Sequence, residues 1–220
     1  MPPQRPDVTL INPNSSAEVT RAMVAIAAAT WPEARVLGLT AQAGPAVITT
    51  PEALREGERA VLDLARGLSP GAQGVIVAGF GDPGLAALRA ALALPVTGLG
   101  EASLLEAAAG GRRYGIVTTT PGLDASIRAQ VAASGTAGQF IGCHYTAGDP
   151  LHLSFQPEAL RAALALALAR ALDAGAQAVI IGGGPLAQAA RGLAMDRALP
   201  VVEPVPAAMR RLRRLMAGRG

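Results

Sequence analysis

An internal repeat with a period of about 105 residues constrains this chain more than any other feature of its sequence. Gly74-Val75-Ile76-Val77-Ala78-Gly79-Phe80-Gly81-Asp82-Pro83-Gly84-Leu85 is a β-branched run that ends in a glycine turn and leads into Ala86-Ala87-Leu88-Arg89. The pattern returns 104 residues later as Ala178-Val179-Ile180-Ile181-Gly182-Gly183-Gly184-Pro185-Leu186, followed by Ala187-Gln188-Ala189-Ala190. Leu94-Pro95-Val96 comes back after 105 residues as Leu199-Pro200-Val201, and Val8-Thr9-Leu10-Ile11-Asn12-Pro13 is echoed after 106 by Tyr114-Gly115-Ile116-Val117-Thr118-Thr119. Three landmarks at nearly one spacing divide the chain into two similar halves.

Each half reads as a buried strand, a polar or glycine turn, an alanine-rich helix and another strand. That alternation predicts an α/β fold of two similar lobes, each a parallel sheet flanked by helices, related by a pseudo-twofold internal repeat. The expected lobes are residues 1–105, completed by a C-terminal helix over 205–220, and residues 106–204. Helices are predicted from Pro51 to Gly67, where Thr50 can cap and Leu54, Val61, Leu62 and Leu64 form an apolar stripe, and from Pro157 to Ala174, with Gly175 as the stop. Open parallel sheets bind ligands beyond the carboxyl ends of their strands. The expected ligand cleft therefore lies between the lobes, at the turns Asn12 to Ser16, Gly79 to Asp82, Thr118 to Thr120 and Gly183 to Leu186.

Composition excludes several classes. Half of the 220 residues are hydrophobic and the formal net charge is only +3, which argues against disorder. The longest aliphatic stretch, Ala162 to Ala169, is closed by Arg161 and Arg170 and is far shorter than the roughly 20 residues of a membrane span. Met1-Pro2-Pro3-Gln4-Arg5-Pro6 has no apolar core of a signal peptide, so the expected location is cytoplasmic. All 19 basic residues are arginine, which removes Schiff-base chemistry and the P-loop lysine. The single Cys143 forbids an internal disulfide, and two histidines, His144 and His152, leave little for a metal centre. Five arginines lie in residues 205–220 (Arg210, Arg211, Arg213, Arg214 and Arg219); without them 14 basic residues face 16 acidic ones. With Met209, Leu212, Leu215 and Met216 at helical spacing, this tail reads as an amphipathic helix with a solvated face. Only 3% of the chain is aromatic, too little for the base-stacking surface of a nucleic-acid binder.

Gly79-Phe80-Gly81-Asp82-Pro83-Gly84 matches G-x-G-x-x-G after a strand, and Glu101 follows 17 residues beyond Gly84, as in a dinucleotide fingerprint. The repeat copy keeps glycines without that spacing. Asp82-Pro83 reads equally as a helix cap followed by proline at the first helical position, and Glu101 opens a helix expected over Ala102 to Ala109. Asn12, Asn14, Ser15 and Ser16 after the first strand, and Thr118, Thr119 and Thr120 at the repeat-equivalent place, supply hydroxyl, amide and backbone donors that suit a small carboxylate or a helix cap. Cys143 and His144 are adjacent within a predicted strand, so alternation places them on opposite faces and separates thiol from imidazole.

Ile11-Asn12-Pro13-Asn14-Ser15-Ser16, Gly79 to Leu85, Pro95-Val96-Thr97-Gly98-Leu99-Gly100-Glu101-Ala102, Tyr114 to Thr119, Gly182 to Ala187 and Pro200-Val201-Val202-Glu203-Pro204-Val205 together resemble the hydantoin racemase group of the aspartate/glutamate racemase superfamily. The resemblance spans nearly the whole chain. It implies two α/β lobes around one site, action on a small carboxylate or hydantoin-like carbon acid, a homo-oligomer, and no cofactor or metal. It also implies two cysteines on opposite faces of the reacting carbon, at the positions held here by Gly79 and Gly183. Neither glycine can carry a proton, so two-thiol racemisation is not expected. Altered chemistry, such as a racemase with a substitute base, an isomerase, a lyase or a decarboxylase, is one reading. A non-catalytic carboxylate binder and a nucleotide-binding module are the others. Asp82 leads the titrating candidates, ahead of Glu101, Glu203 and His144, and the expected substrate contacts are Asn12, Ser15, Phe80, Gly81, Thr118, Thr119, Gly184, Pro185 and Leu186.

Overall fold

The computed structural model describes residues 5–183, 186, 189, 193 and 201–218. The chain forms two compact units. One comprises Met1–Ile48, Glu52–Leu99 and Val205–Gly220; the other comprises Thr49–Pro51 and Gly100–Pro204.

In the first unit β1 (Asp7–Asn12), β2 (Arg35–Thr40), β3 (Gly74–Val77) and β4 (Val96–Gly98) make a parallel sheet in the order β2-β1-β3-β4. In the second, β5 (Tyr114–Thr118), β6 (Phe140–Tyr145), β7 (Ala178–Ile181) and β8 (Val201–Val202) repeat that order as β6-β5-β7-β8. The sequence repeat is thus a repeat of topology. The central strands are buried on both faces, so they read as unbroken β-branched runs.

The connecting helices are α1 (Ala17–Thr30), α2 (Pro51–Ala65), α3 (Leu85–Ala91), α4 (Leu99–Ala107), α5 (Asp124–Ala133), α6 (Pro150–Ser154) and α7 (Pro157–Asp173). A terminal helix, here α8 (Pro204–Ala217), is amphipathic as its spacing predicts. Its Leu212 packs on Gly74, where an added Cβ would lie 3.0 Å from Leu212 Cδ2, and its Arg213 guanidinium stacks 5.6 Å from the Trp31 ring centre. Ile11, Val75, Val77, Val61, Leu88 and Val96 form the core of the first unit. Val117, Val179, Ile181, Leu164, Leu168 and Ala171 form that of the second.

Several helix boundaries differ from expectation. α2 ends two residues early because Arg66 and Gly67 donate to the carbonyls of Asp63 and Leu64, tightening the last turn. α4 begins at Leu99 directly from β4, which puts Glu101 in its first turn. α3 begins at Leu85 behind a left-handed Gly84, so Asp82 does not cap it. The end of α7 conforms: Gly175, at φ 87°, donates to the Leu172 carbonyl at 2.8 Å and stops the helix.

Candidate active site

In the first unit the turn after β1 is organised by Asn12, which is fully buried. Its Nδ2 donates to Asn14 Oδ1 at 2.9 Å, Thr20 Oγ1 at 2.9 Å and the Ser16 carbonyl at 3.2 Å, while its Oδ1 accepts from the Asn14 amide at 3.1 Å. The Asn12 amide is therefore consumed in shaping the turn. Asn14 Oδ1 also accepts from the Ser16 amide at 3.0 Å, and its Nδ2 makes no hydrogen bond among the described residues. Ser16 caps α1 by accepting from Val19 N, and exposed Ser15 is held by its amide to the Pro45 carbonyl at 3.1 Å.

The turn after β3 is closed by Asp82 N donating to the Gly79 carbonyl at 2.9 Å and Leu85 N to the Asp82 carbonyl at 3.1 Å. Asp82 adopts φ 49°, the one non-glycine residue with positive φ among those described. Its carboxyl group occupies the space above Gly98, at the point where β4 passes into α4. A carboxylate there complements the partial positive charge of a helix N-terminus.

The glycines of this turn serve packing. An added Cβ at Gly79 would lie 2.8 Å from Pro13 Cγ and 3.1 Å from Pro83 Cδ; at Gly81, 2.6 Å from Leu54 Cδ1; at Gly84, 3.4 Å from Val61 Cγ1. Gly57 on α2 in turn lets that helix approach Pro13 and Pro83. Phe80 is buried. Close approach by proline, leucine and valine side chains therefore accounts for these glycines without a bound dinucleotide.

In the second unit the strand ends are rich in hydroxyls. Thr118 Oγ1 and Thr120 Oγ1 bond each other at 3.1 Å. Thr119, 6% exposed, makes no side-chain hydrogen bond among the described residues. Thr146, which follows β6, donates its amide to the Thr118 carbonyl at 3.0 Å, and its own buried hydroxyl has no partner among the described residues. After β7, Gly183 sits at φ 143° with Leu186 Cγ 3.1 Å from where its Cβ would be. Leu186 belongs to the hydrophobic core, so its side chain is committed to packing. Gly184 and Pro185 lie outside the described residues.

Cys143 and His144 point to opposite faces of β6. Cys143 shares a face with Tyr145, whose hydroxyl donates to Asp124, and with Arg128, which donates to the other Asp124 oxygen at 2.7 Å. These two bonds hold the Asp124 carboxyl below its usual range, Arg128 contributing most. Burial, then Asp124, raises the Tyr145 hydroxyl. Burial likewise pushes the Cys143 thiol up. His144 packs against Gly115, where an added Cβ would lie 3.4 Å from its Cδ2, and burial, then Arg170, lowers its pKa. Glu101 and Glu203 are each half-buried, the former in α4 and the latter between β8 and α8. Among the described residues no three His, Cys, Asp or Glu side chains gather as metal ligands, and no helix is long and apolar enough to cross a membrane.

The family model for Asp/Glu/hydantoin racemases matches residues 8–212. The chain belongs to the Asp/Glu/hydantoin racemase family. Within this family it is similar to the hydantoin racemase of Pseudomonas sp. (strain NS671), at 25% identity over 206 residues that span 92% of this chain and 83% of the relative. It is similar in structure to the allantoin racemase from Klebsiella pneumoniae, with a TM-score of 0.90 and 29% identity over 97% of this chain and 89% of that one. Arylmalonate decarboxylase shares the fold at a TM-score of 0.67 and 22% identity, covering 98% of this chain and 94% of that one. For this racemase-family chain, sequence reading passed over two polar groups: Asn14, quoted in a motif but ranked below Asn12, and Thr146, which looks like any β-branched residue at a strand end.

Proposed function

We propose that this chain binds a neutral cyclic ureide of the hydantoin or allantoin class at the carboxyl ends of its sheets and acts on its acidic carbon without two-thiol racemisation. The observation that carries the reading is the composition of those ends. The described turns after β1, β2, β3, β5, β6 and β7 carry hydroxyls, amides and glycines, and none carries an arginine, although the chain has 19. Acidic residues are present there, Asp82 and Asp149. A dicarboxylate would meet no arginine borne on those turns and some like charge, whereas a ureide offers C=O and N–H groups that amides and hydroxyls satisfy in kind. The likeness to a hydantoin racemase and an allantoin racemase supports the same class.

Within this proposal the donors offered to a ureide are Asn14, Ser15 and the Gly81 backbone at the strand ends of the first unit, and Thr119 and the Gly183 backbone at those of the second. Asn12 and Thr118 brace those turns, and Phe80 and Leu186 are buried in packing. Asp82 is assigned to holding the β3 turn against Gly98. Its carboxylate is also the nearest titrating group to that turn, and Asp82→Asn tests it for proton transfer.

The experiment is hydrogen–deuterium exchange at C5 of 5-benzylhydantoin and of allantoin, followed by NMR in deuterated buffer with phenylmalonate as the control dicarboxylate. Exchange above the buffer rate with a ureide supports the reading. Decarboxylation of phenylmalonate with no response to either ureide would sink it. A second reading, a binder without turnover, is favoured by the side chains that close over Gly79 and Gly183. It predicts a raised melting temperature with the ureides and no exchange.

A further inference from the structure

The hydroxyl of Thr146 is a feature of the carboxyl-end turns that the described residues leave unexplained. Thr146 is 7% exposed, its Oγ1 is fully buried, and no hydrogen-bond partner reaches it among the described residues. It lies one residue past the last registered pair of the β5–β6 ladder, Thr118 with Tyr145, and its amide is fixed to the Thr118 carbonyl at 3.0 Å. Thr119 follows Thr118 on the neighbouring strand, is equally buried, and also leaves its hydroxyl without a partner among the described residues. The adjacent pair differs: Thr118 and Thr120 satisfy each other at 3.1 Å.

A buried hydroxyl that gives up water and receives nothing destabilises the fold, and valine would fill the same volume without that penalty. Buried polar groups in proteins are nearly always paired. The other orphan on β6, His144 Nε2, lies beside Gly115 and in contact with that mid-sheet position, so it does not mark the strand end. Thr146, by contrast, stands where a parallel sheet receives its ligands.

We propose that Thr146 is a substrate-contacting residue whose hydroxyl, beside that of Thr119, hydrogen-bonds the polar edge of the bound molecule. The inference rests on the ureide reading above. A hydroxyl is donor and acceptor at once, so it can meet either a ring carbonyl or a ring N–H.

The test uses the full chain with methyl-labelled threonine, titrated with 5-benzylhydantoin and with allantoin, alongside Thr146→Val and Thr146→Ser. The expected result is a saturable shift of the Thr146 methyl resonance in the parent chain. Thr146→Val should unfold at no lower temperature yet bind the same ureide about tenfold more weakly, the loss of one hydrogen bond, and Thr146→Ser should bind within a few-fold of the parent. Saturable shifts elsewhere, with a silent Thr146 and unchanged affinity in Thr146→Val, overturn this contact and leave the ureide reading standing. No saturable shift anywhere with either ureide overturns both. Should Thr146→Val fail to fold, the parent resonance and the serine variant still decide.

Discussion

The carboxyl group of Asp82 occupies the space that a side chain at Gly98 would need, so the turn after β3 and the start of α4 are fitted to each other through these two residues. Gly98→Ala should therefore lose about 1–3 kcal/mol of stability in urea unfolding, because the carboxylate and the new methyl cannot share one place. Asp82→Asn should lose about 1 kcal/mol or less. Asparagine tolerates the positive φ, and only the charge at the α4 N-terminus is removed. If C5 exchange disappears in Asp82→Asn while stability hardly moves, Asp82 transfers a proton and is more than a brace.

The two positions that the family resemblance assigns to thiols are closed as well as empty of thiols. Cysteine at 79 would press on Pro13 and Pro83, and cysteine at 183 would adopt φ 143° against Leu186. Each of Gly79→Cys and Gly183→Cys should destabilise by about 1–3 kcal/mol, and the double variant should not racemise enantiopure 5-benzylhydantoin. Polarimetry with a parallel melting curve checks both. Rapid racemisation by a well-folded double variant would show that the surroundings still fit the two-thiol reaction.

The repeat was legible because buried parallel strands write themselves as β-branched runs, and Val75 to Val77 and Val179 to Ile181 do so in both halves. The order β2-β1-β3-β4 and its copy follow from that. What was not legible depends on where side chains turn. Asp82-Pro83 has the composition of a helix start, yet Asp82 enters the left-handed region and α3 waits for Leu85. Asn12 and Asn14 are the same residue type two positions apart, and only the structure shows that Asn12 Nδ2 bonds inward to Thr20 while Asn14 Nδ2 finds no partner among the described residues. Glycine in a G-x-G-x-x-G string is ambiguous in the same way, since close approach by Leu54 or Val61 needs it as much as a phosphate does.

His144 gives the fold a pH dependence of definite sign. Burial and Arg170 lower its pKa below the ordinary 6.5, so the unfolded chain takes up the proton first. Stability is then complete above about pH 6.5 and falls as the pH drops below it toward the folded value. The Asp124 carboxyl, held low by Arg128 and Tyr145, stays ionised through this window and titrates only in stronger acid. Urea unfolding at pH 7.5 and 5.5 should show the parent weaker at the lower pH, and His144→Gln should flatten that difference. An unchanged slope in the variant would assign the effect to another group.

Cys143 should prove chemically quiet. Its thiol is half-buried on the Tyr145 face of β6, and burial raises its pKa, so little thiolate exists at neutral pH to attack an electrophile. Alkylation by iodoacetamide at pH 7.5 should run slower than for a free cysteine and accelerate when urea unfolds the chain. Cys143→Ser should bind 5-benzylhydantoin and exchange its C5 proton as the parent does, since the thiol sits within β6 on the Tyr145 and Asp124 face and is kept protonated by burial. Loss of exchange in Cys143→Ser with the fold intact would instead place the single thiol of this chain in the reaction.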